Sequence, residues 1–350
     1  MSFRELIARL APWSWVAALV LWGVAIWIWV DRFLSLLVAH SKGWLFDWHV
    51  YAAAAKDLLD RELYRVPLVS AFPIPVDTFN YPPGSALTAV PFLAFPDDIG
   101  GFLWVLLNVA SVAAVAVLTM VIVNARPIWL WSGLLFFLYS LSDWSLPQFL
   151  GNNTPLVLLF VAGGVAAHVA NRSTAAGVLL GIAIAMKLWP AALLVPMARE
   201  RSWRAVGWAV GTSAVITIAG LIWLGGPSAV GRMISAIMLE VTPRPTQILI
   251  GLTWLRVHTD WWPDWGGYAI AALLLLIPVK GRLGYGVATF AGMAAIPNLW
   301  RHYIGTIAFA SVLVVAGLVR RREAAPFADA KPKEPMPRLD DPAAEAELGS

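Results

Sequence analysis

The sequence predicts an all-α polytopic integral membrane protein with about ten transmembrane helices. Three observations carry that expectation. Of 350 residues, 59% are hydrophobic and only 13% charged, about half of the roughly 25% charged residues of an average soluble chain. Mean hydropathy is +0.72. Charge is also unevenly placed, since 12 of the 46 Asp, Glu, Lys and Arg fall in residues 321–350, leaving long charge-free runs that only lipid accommodates. The basic residues sit in short loops between these runs rather than in one patch, which argues against nucleic-acid binding despite a net charge of +4. With no Cys, disulfides, thiolate metal sites and Cys nucleophiles are excluded.

The first apolar run, Trp13–Val30, follows Arg4 and Arg9 and ends on bulky residues, so it predicts an uncleaved first helix rather than a signal peptide. Further spans are Ser85–Pro96 (short, extendable by Tyr81–Gly84), Phe102–Val123, Ile128–Ser142, Pro155–Ala170, Thr174–Ala198 (interrupted only by Lys187), Ala205–Gly225, Gly266–Val279, Leu283–Trp300 and Tyr303–Val319. Positive charge follows the cytoplasmic side. Ten crossings put Arg4/Arg9, the Arg199–Arg204 cluster, Lys280/Arg282 and Arg320–Arg322 there, with both termini inside. Residues 40–84 form a first outer loop, residues 226–265 a second, and Asn298–His302 an outer turn. Around 141–154, Asp143, Pro147 and Gly151-Asn152-Asn153 interrupt the pattern and predict a broken or re-entrant helix. Residues 323–350, rich in Ala, Pro, Glu and Lys, predict a disordered cytoplasmic tail.

The first outer loop carries the clearest chemical signal, because a loop that long in a compact bundle is usually functional. Ala52–Leu63 has amphipathic spacing, with Lys56, Asp57, Asp60, Arg61 and Glu62 as a solvated face. Asp47 instead sits among Leu45, Phe46 and Trp48 near the membrane interface, where partial desolvation raises a carboxylate's pKa and basicity. Two readings stand side by side: a poised base, or a cap on a helix beginning near Tyr51. The loop closes on Phe79-Asn80-Tyr81-Pro82-Pro83-Gly84, where paired prolines force an extended approach to the next helix and fix the Tyr81 ring.

These residues resemble the GT-C glycosyltransferases, and most closely glycosyltransferase family 87. The family pattern is an Asp followed four residues later by Tyr, then a Leu-Tyr pair and an aromatic-Tyr-Pro-Pro segment. It is matched by Asp47 and Tyr51, Leu63-Tyr64, and Phe79 with Tyr81-Pro82-Pro83. Gly151-Asn152-Asn153 stands at the family's Gly-Gln-x-Asn break, with Asn where Gln is usual. Gly177–Gly181 leads to Lys187-Leu188-Trp189-Pro190, and Trp300-Arg301-His302-Tyr303 matches an aromatic-x-His-Tyr motif. The family's Asn-Gln-Ser stretch appears here as Pro245-Thr246-Gln247-Ile248.

The resemblance implies a GT-C-type catalytic domain over residues 1–322 of a multi-pass cell-membrane protein, its active site on the outer side. The implied reaction is inverting transfer of mannose from a polyprenyl phosphate to a hydroxyl of a lipid-linked or cell-envelope glycan. The implied partners are that donor, the glycan acceptor and membrane lipids. No cofactor or metal is expected, since a lipid-phosphate donor needs neither a nucleotide cradle nor an Asp-x-Asp. A phosphate leaves as a stable anion, so a single base, Asp47, suffices, unlike the carboxylate pair of glycoside hydrolysis. Candidates for holding the donor phosphate are His302, Arg301, Arg256 and Arg244. His302 has a plainer reading as an interfacial His, and Arg301 and Arg256 as headgroup anchors. His49, Tyr51 and Tyr81 are further substrate-binding candidates. Lys187, read as mid-helix between Met186 and Leu188, is costly there. It is expected to pair with Asp143 or the Asn152/Asn153 amides, or to meet donor phosphate. His168 reads as a packing residue. Trp254, Trp261, Trp262 and Trp265 suit either a sugar platform or an interface belt. Two competing readings remain: the same fold using lipid-linked arabinose or glucose, and a lipid-linked-sugar flippase or transporter, which would favour paired repeats absent here.

Overall fold

The computed structural model describes residues 13–39, 45–64, 79–141, 151–240, 265–296 and 303–328. Within them the chain forms thirteen α-helices and no strand. Helices are the expected outcome, because a segment in hydrocarbon must satisfy its backbone hydrogen bonds internally. Three are long and apolar enough to cross a bilayer: α1 (Ser14–Ala39), α4 (Asp97–Val123) and α9 (Trp203–Trp223). The others are α2 (Phe46–Leu59), α3 (Pro83–Leu87), α5 (Ile128–Leu141), α6 (Thr154–Val169), α7 (Ser173–Met186), α8 (Leu194–Arg199), α10 (Pro227–Glu240), α11 (Gly266–Leu276), α12 (Gly281–Ala294) and α13 (Ile304–Ala328).

Packing sets the helix directions. Trp22 Nε1 donates to the Trp129 carbonyl at 3.1 Å and Trp29 Nε1 to Ser140 Oγ at 2.8 Å, so α1 and α5 run parallel. Gly177 meets Ala205 and Gly181 meets Ala209, where any β-carbon would collide, so α7 and α9 also run parallel at backbone contact. This is the close approach that small residues four apart permit. Arg126, Arg172, the Arg199–Arg204 cluster, Lys280, Arg282 and Arg320 lie at the helix ends opposite Asp47. There Arg199 donates to the Ile277 carbonyl at 2.5 Å and Arg282 to the Ile122 carbonyl.

Several expectations are corrected. The first helix does not stop at Val30 but runs to Ala39. The Ser85–Pro96 segment is not a crossing: it is α3 plus a 3-10 turn, Val90–Ala94, that stays beside α2. There Phe92 packs edge-on against Trp48, with ring centroids 6.2 Å apart. Pro91 removes a donor that one continuous helix needs. The Thr174–Ala198 span is likewise not one helix. It breaks at Lys187, which is extended (φ −143, ψ 141), and turns back through a 3-10 segment, Trp189–Leu193, into α8. Glu200 consequently sits against His168 at the far end of α6, the end where α7 began. Pro190 has no N–H to give the Met186 carbonyl four residues back, and that carbonyl accepts from Ser85 Oγ instead. The segment expected as a second outer loop contains a helix, α10. The last helix continues through Ala328, past the expected tail boundary at 323. The rest of the tail lies outside the described residues.

Candidate functional site

The helix carrying Asp47 starts at Phe46, earlier than expected, from Leu45 in the left-handed region (φ 56, ψ 28). That conformation costs a branched residue about 1–2 kcal/mol. Burial of the Leu45 side chain offsets it, with Gly101 leaving room for its Cδ1. Asp47 therefore lies inside the first turn and makes no N-cap, which removes the capping reading. The next residues anchor α2. Trp48 is 1% exposed and its Nε1 donates to Asp97 Oδ1 at 3.1 Å.

The Gly151-Asn152-Asn153 break folds directly onto this turn. A β-carbon at Gly151 would strike the Trp48 backbone nitrogen, and the Gly151 carbonyl accepts from Trp104 Nε1 at 2.7 Å. Asn152 is thereby placed between two charges. Its side chain hydrogen-bonds to Asp47, while its Oδ1 accepts from Lys187 Nζ at 3.1 Å and from Thr154 Oγ1 at 2.6 Å. Lys187, 2% exposed, also donates to Thr154 Oγ1 at 2.8 Å and to the Tyr303 hydroxyl at 3.4 Å. Its ammonium lies 4.8 Å from the Tyr81 ring centroid and 5.1 Å from that of Tyr303, distances at which cation and ring attract. The pairing with the Asn152 amide agrees with expectation, but the position is revised: Lys187 sits at a chain reversal beside Asp47, not mid-helix. Asp143 lies outside the described residues.

A second chain of bonds runs parallel to the first. The Tyr51 hydroxyl donates to Asn153 Oδ1 at 2.8 Å, Asn153 Nδ2 to Ser85 Oγ at 2.9 Å, and Ser85 Oγ to the Met186 carbonyl at 2.7 Å. It ties α2, the break, α3 and the end of α7 together. Tyr81 stacks on Tyr51, centroids 6.0 Å apart and planes 20° off parallel. Its carbonyl accepts from the Tyr64 hydroxyl at 2.5 Å.

Desolvation pushes the Asp47 carboxyl up to about 6, against the opposing pull of the Asn152 hydrogen bond and the Lys187 charge. Because Asp47 is only partly covered, it remains open to a partner. Next to it lies a cavity of about 600 Å³. One end is polar, formed by Asn80, Tyr81, Lys187 and Tyr303. The remainder is mostly apolar and runs between the return leg (Trp189, Ala192, Val195), α11 (Ala271, Leu275) and α12 (Ala291, Gly292), with Ile237 and Met238 of α10 on its border. Asp47 is outside that lining, joined to it through Lys187. Among the described residues no group of three or more His, Asp or Glu has a metal-binding arrangement.

The candidate residues separate in space. Asp47, Tyr51, Tyr81 and Lys187 come together. His49 does not join them: its Nδ1 pairs with Asp97 Oδ2 at 3.4 Å, because two positions along a helix turn the side chain to another face. Tyr51 is 1% exposed and outside the cavity lining, so it braces the break. His302, Arg301, Arg256 and Arg244 lie outside the described residues, as do Trp254, Trp261 and Trp262. His168 pairs with Glu200 Oε2 at 2.7 Å, the packing role expected of it. Sequence reasoning missed Thr154 and Tyr303 as Lys187 partners, although Tyr303 stands in a motif already singled out and Thr154 directly follows one.

The sequence profile of glycosyltransferase family 87 matches residues 79–279. The chain belongs to glycosyltransferase family 87. The matched stretch contains Tyr81-Pro82-Pro83, the Gly151–Asn153 break and Lys187, while Asp47 and Tyr303 flank it on either side. No curated protein and no solved structure matches the chain. As a family 87 membrane glycosyltransferase, the protein moves a sugar from a donor to an acceptor. Its apolar helices accord with that class.

Proposed function

We propose that this family 87 enzyme is an inverting mannosyltransferase that takes mannose from a polyprenyl phosphate and delivers it to a hydroxyl of a lipid-linked or cell-envelope glycan. One observation carries the reading. A buried ammonium at the polar end of a lipid-sized, mostly apolar cavity is bridged by a single amide to a partly desolvated carboxylate just outside the lining. The apolar arm suits an isoprenoid chain, and the polar end suits the phosphate that joins it to the sugar.

In this mechanism Asp47 removes the proton of the acceptor hydroxyl as that oxygen attacks the anomeric carbon. The bond from that carbon to the phosphate oxygen breaks, and polyprenyl phosphate leaves with the electron pair. Attack and departure on opposite faces invert the centre. Lys187 supplies positive charge toward the growing phosphate charge, in surroundings dry enough to make it effective. Asn152 keeps Asp47 and Lys187 from collapsing into a direct pair that would quench both. The basic helix ends opposite Asp47 support an outer-face site, since positive charge follows the cytoplasmic side.

The test is Asp47→Asn in membranes supplied with polyprenyl-phosphate mannose. Sugar transfer is expected to fall by about 100- to 10,000-fold, the usual contribution of a general base, with the protein inserted and accumulating normally. Undiminished transfer refutes the role of Asp47. Product analysis with mannose, glucose and arabinose donors decides the sugar.

A further inference from the structure

Two groups that can only donate settle which way the Asn152 amide faces. The Thr154 backbone N–H at 2.9 Å and Lys187 Nζ at 3.1 Å both meet Oδ1, so the amide N–H is left for Asp47. The Thr154 hydroxyl stands in the same corner, fully buried at the start of α6. It accepts from Lys187 Nζ at 2.8 Å, shorter than the ammonium's bonds to Asn152 (3.1 Å) and Tyr303 (3.4 Å). Its own proton goes to Asn152 Oδ1 at 2.6 Å. Thr154 thus binds both the ammonium and the amide that separates it from Asp47.

An ammonium has three hydrogens, and the oxygens of Asn152, Thr154 and Tyr303 take all of them. Without the Thr154 hydroxyl, one hydrogen of a buried charge loses its acceptor, which is costly. Asn152 Oδ1 cannot take it, because two hydrogens of one nitrogen do not point at one oxygen. The Asp47 carboxylate lies one amide away, with opposite charge and more lone pairs than the Asn152 N–H fills. We propose that Thr154 is a positioning residue: its hydroxyl takes the ammonium hydrogen that would otherwise turn to Asp47, and so holds acid and ammonium apart across the Asn152 amide. The inference rests on the reading of Asp47 as the base and Lys187 as the charge facing phosphate, and it adds the group that keeps both available. Among the described residues, Lys187 faces Asp47 from the chain reversal and Tyr51 from its own helix. Burial, with the Asp47 charge behind it, keeps the Tyr51 phenol neutral. Tyr303 is bound to Lys187, and His49 pairs with Asp97 on another face. Lys187 is therefore the charge whose displacement Asp47 registers.

The experiment follows the Asp47 carboxyl directly, independent of sugar transfer. In the purified full chain in lipid nanodiscs, the protonated-carboxyl infrared band that Asp47→Asn abolishes is titrated against pH. Thr154→Val removes the hydroxyl at nearly constant volume. It is expected to move that titration down by about one unit, the effect of an opposite charge brought into contact, and the rising limb of transfer with it. Thr154→Ala, smaller than Val, should show the same downward move, which separates the hydroxyl's role from strain in the first turn of α6. Thr154→Ser keeps the hydroxyl and should titrate as wild type. Thr154→Val combined with Lys187→Gln should titrate as Lys187→Gln alone, because the effect runs through the ammonium. A merely structural role lowers stability and leaves the titration in place. An unmoved or raised titration in the Val and Ala variants overturns the proposal, as does a Ser variant displaced as far as Val or a downward move that survives Lys187→Gln. Transfer lost in Asp47→Asn with no such move leaves the base reading standing without Thr154. The move without mannose transfer removes the mannosyltransferase reading and keeps this one.

Discussion

Two carboxylates, one at each end of the helical bundle, are treated in opposite ways. Glu200 is desolvated, yet three donors converge on it: His168 Nε2 at 2.7 Å, the Gly281 backbone N–H at 2.6 Å and the Tyr285 hydroxyl at 3.1 Å. Against the upward push of burial, the His168 and Gly281 hydrogen bonds lead the terms that hold its pKa below the usual carboxylate value. Asp47 is desolvated too, but one amide hydrogen bond and a nearby ammonium do not compensate, and it rises to about 6. Burial alone does not make an acid reactive. The number of donors left to the ionised form decides whether a carboxylate becomes a clasp or a base.

The sharpest test of this contrast replaces each acid by its amide. Asp47→Asn should lose the transfer described above without lowering the thermal midpoint, since a carboxylate raised above its unfolded pKa destabilises the fold when ionised. Glu200→Gln should do the reverse. It loses charge-assisted bonds worth about 1–3 kcal/mol together, while transfer per folded molecule is kept. Thermal unfolding and transfer measured side by side on both variants decide the matter. A Glu200→Gln enzyme that is stable and inactive breaks the comparison.

Acidity offers a finer cut. A general base must be deprotonated, so transfer should rise with pH through about 6, the value set at Asp47, and flatten above it. Lys187 is one of the influences holding that value down. Lys187→Gln should therefore shift the rising limb to higher pH as well as reduce transfer about tenfold through lost charge stabilisation. An unmoved limb would show that the two groups do not communicate across Asn152.

The parts of this architecture legible in the sequence are those governed by local composition. Apolar runs announced the helices, and Asp47 stood out as an acid among Leu45, Phe46 and Trp48. What stayed hidden depends on where the chain turns inside the bundle. An apolar window reads Met186-Lys187-Leu188-Trp189-Pro190 as continuous helix interrupted by one charge. Only the third dimension shows that Lys187 marks a reversal, with acceptors arriving from Asn152, Thr154 and Tyr303. For the same reason the segment after Tyr81 read as a crossing: α3 and its 3-10 turn are as apolar as a span but too broken by proline to be one. His49 was grouped with Asp47 by proximity in sequence, whereas helical geometry sends it to Asp97.

The smallest effect belongs to Tyr51, whose hydroxyl begins the chain of bonds through Asn153 and Ser85 to the Met186 carbonyl. Tyr51→Phe keeps the ring stacked between Tyr81 and Trp104, which lie 6.0 and 5.7 Å away, and removes one neutral hydrogen bond. A loss of about 1 kcal/mol in stability follows, with transfer down no more than a few-fold. The pH limb should stay where Asp47 puts it, because the hydroxyl holds Asn153 rather than Asn152. A limb displaced in this variant would show Tyr51 acting on the base itself, and the two bond chains, one bracing the helices and one carrying the charge, would have to be read as one.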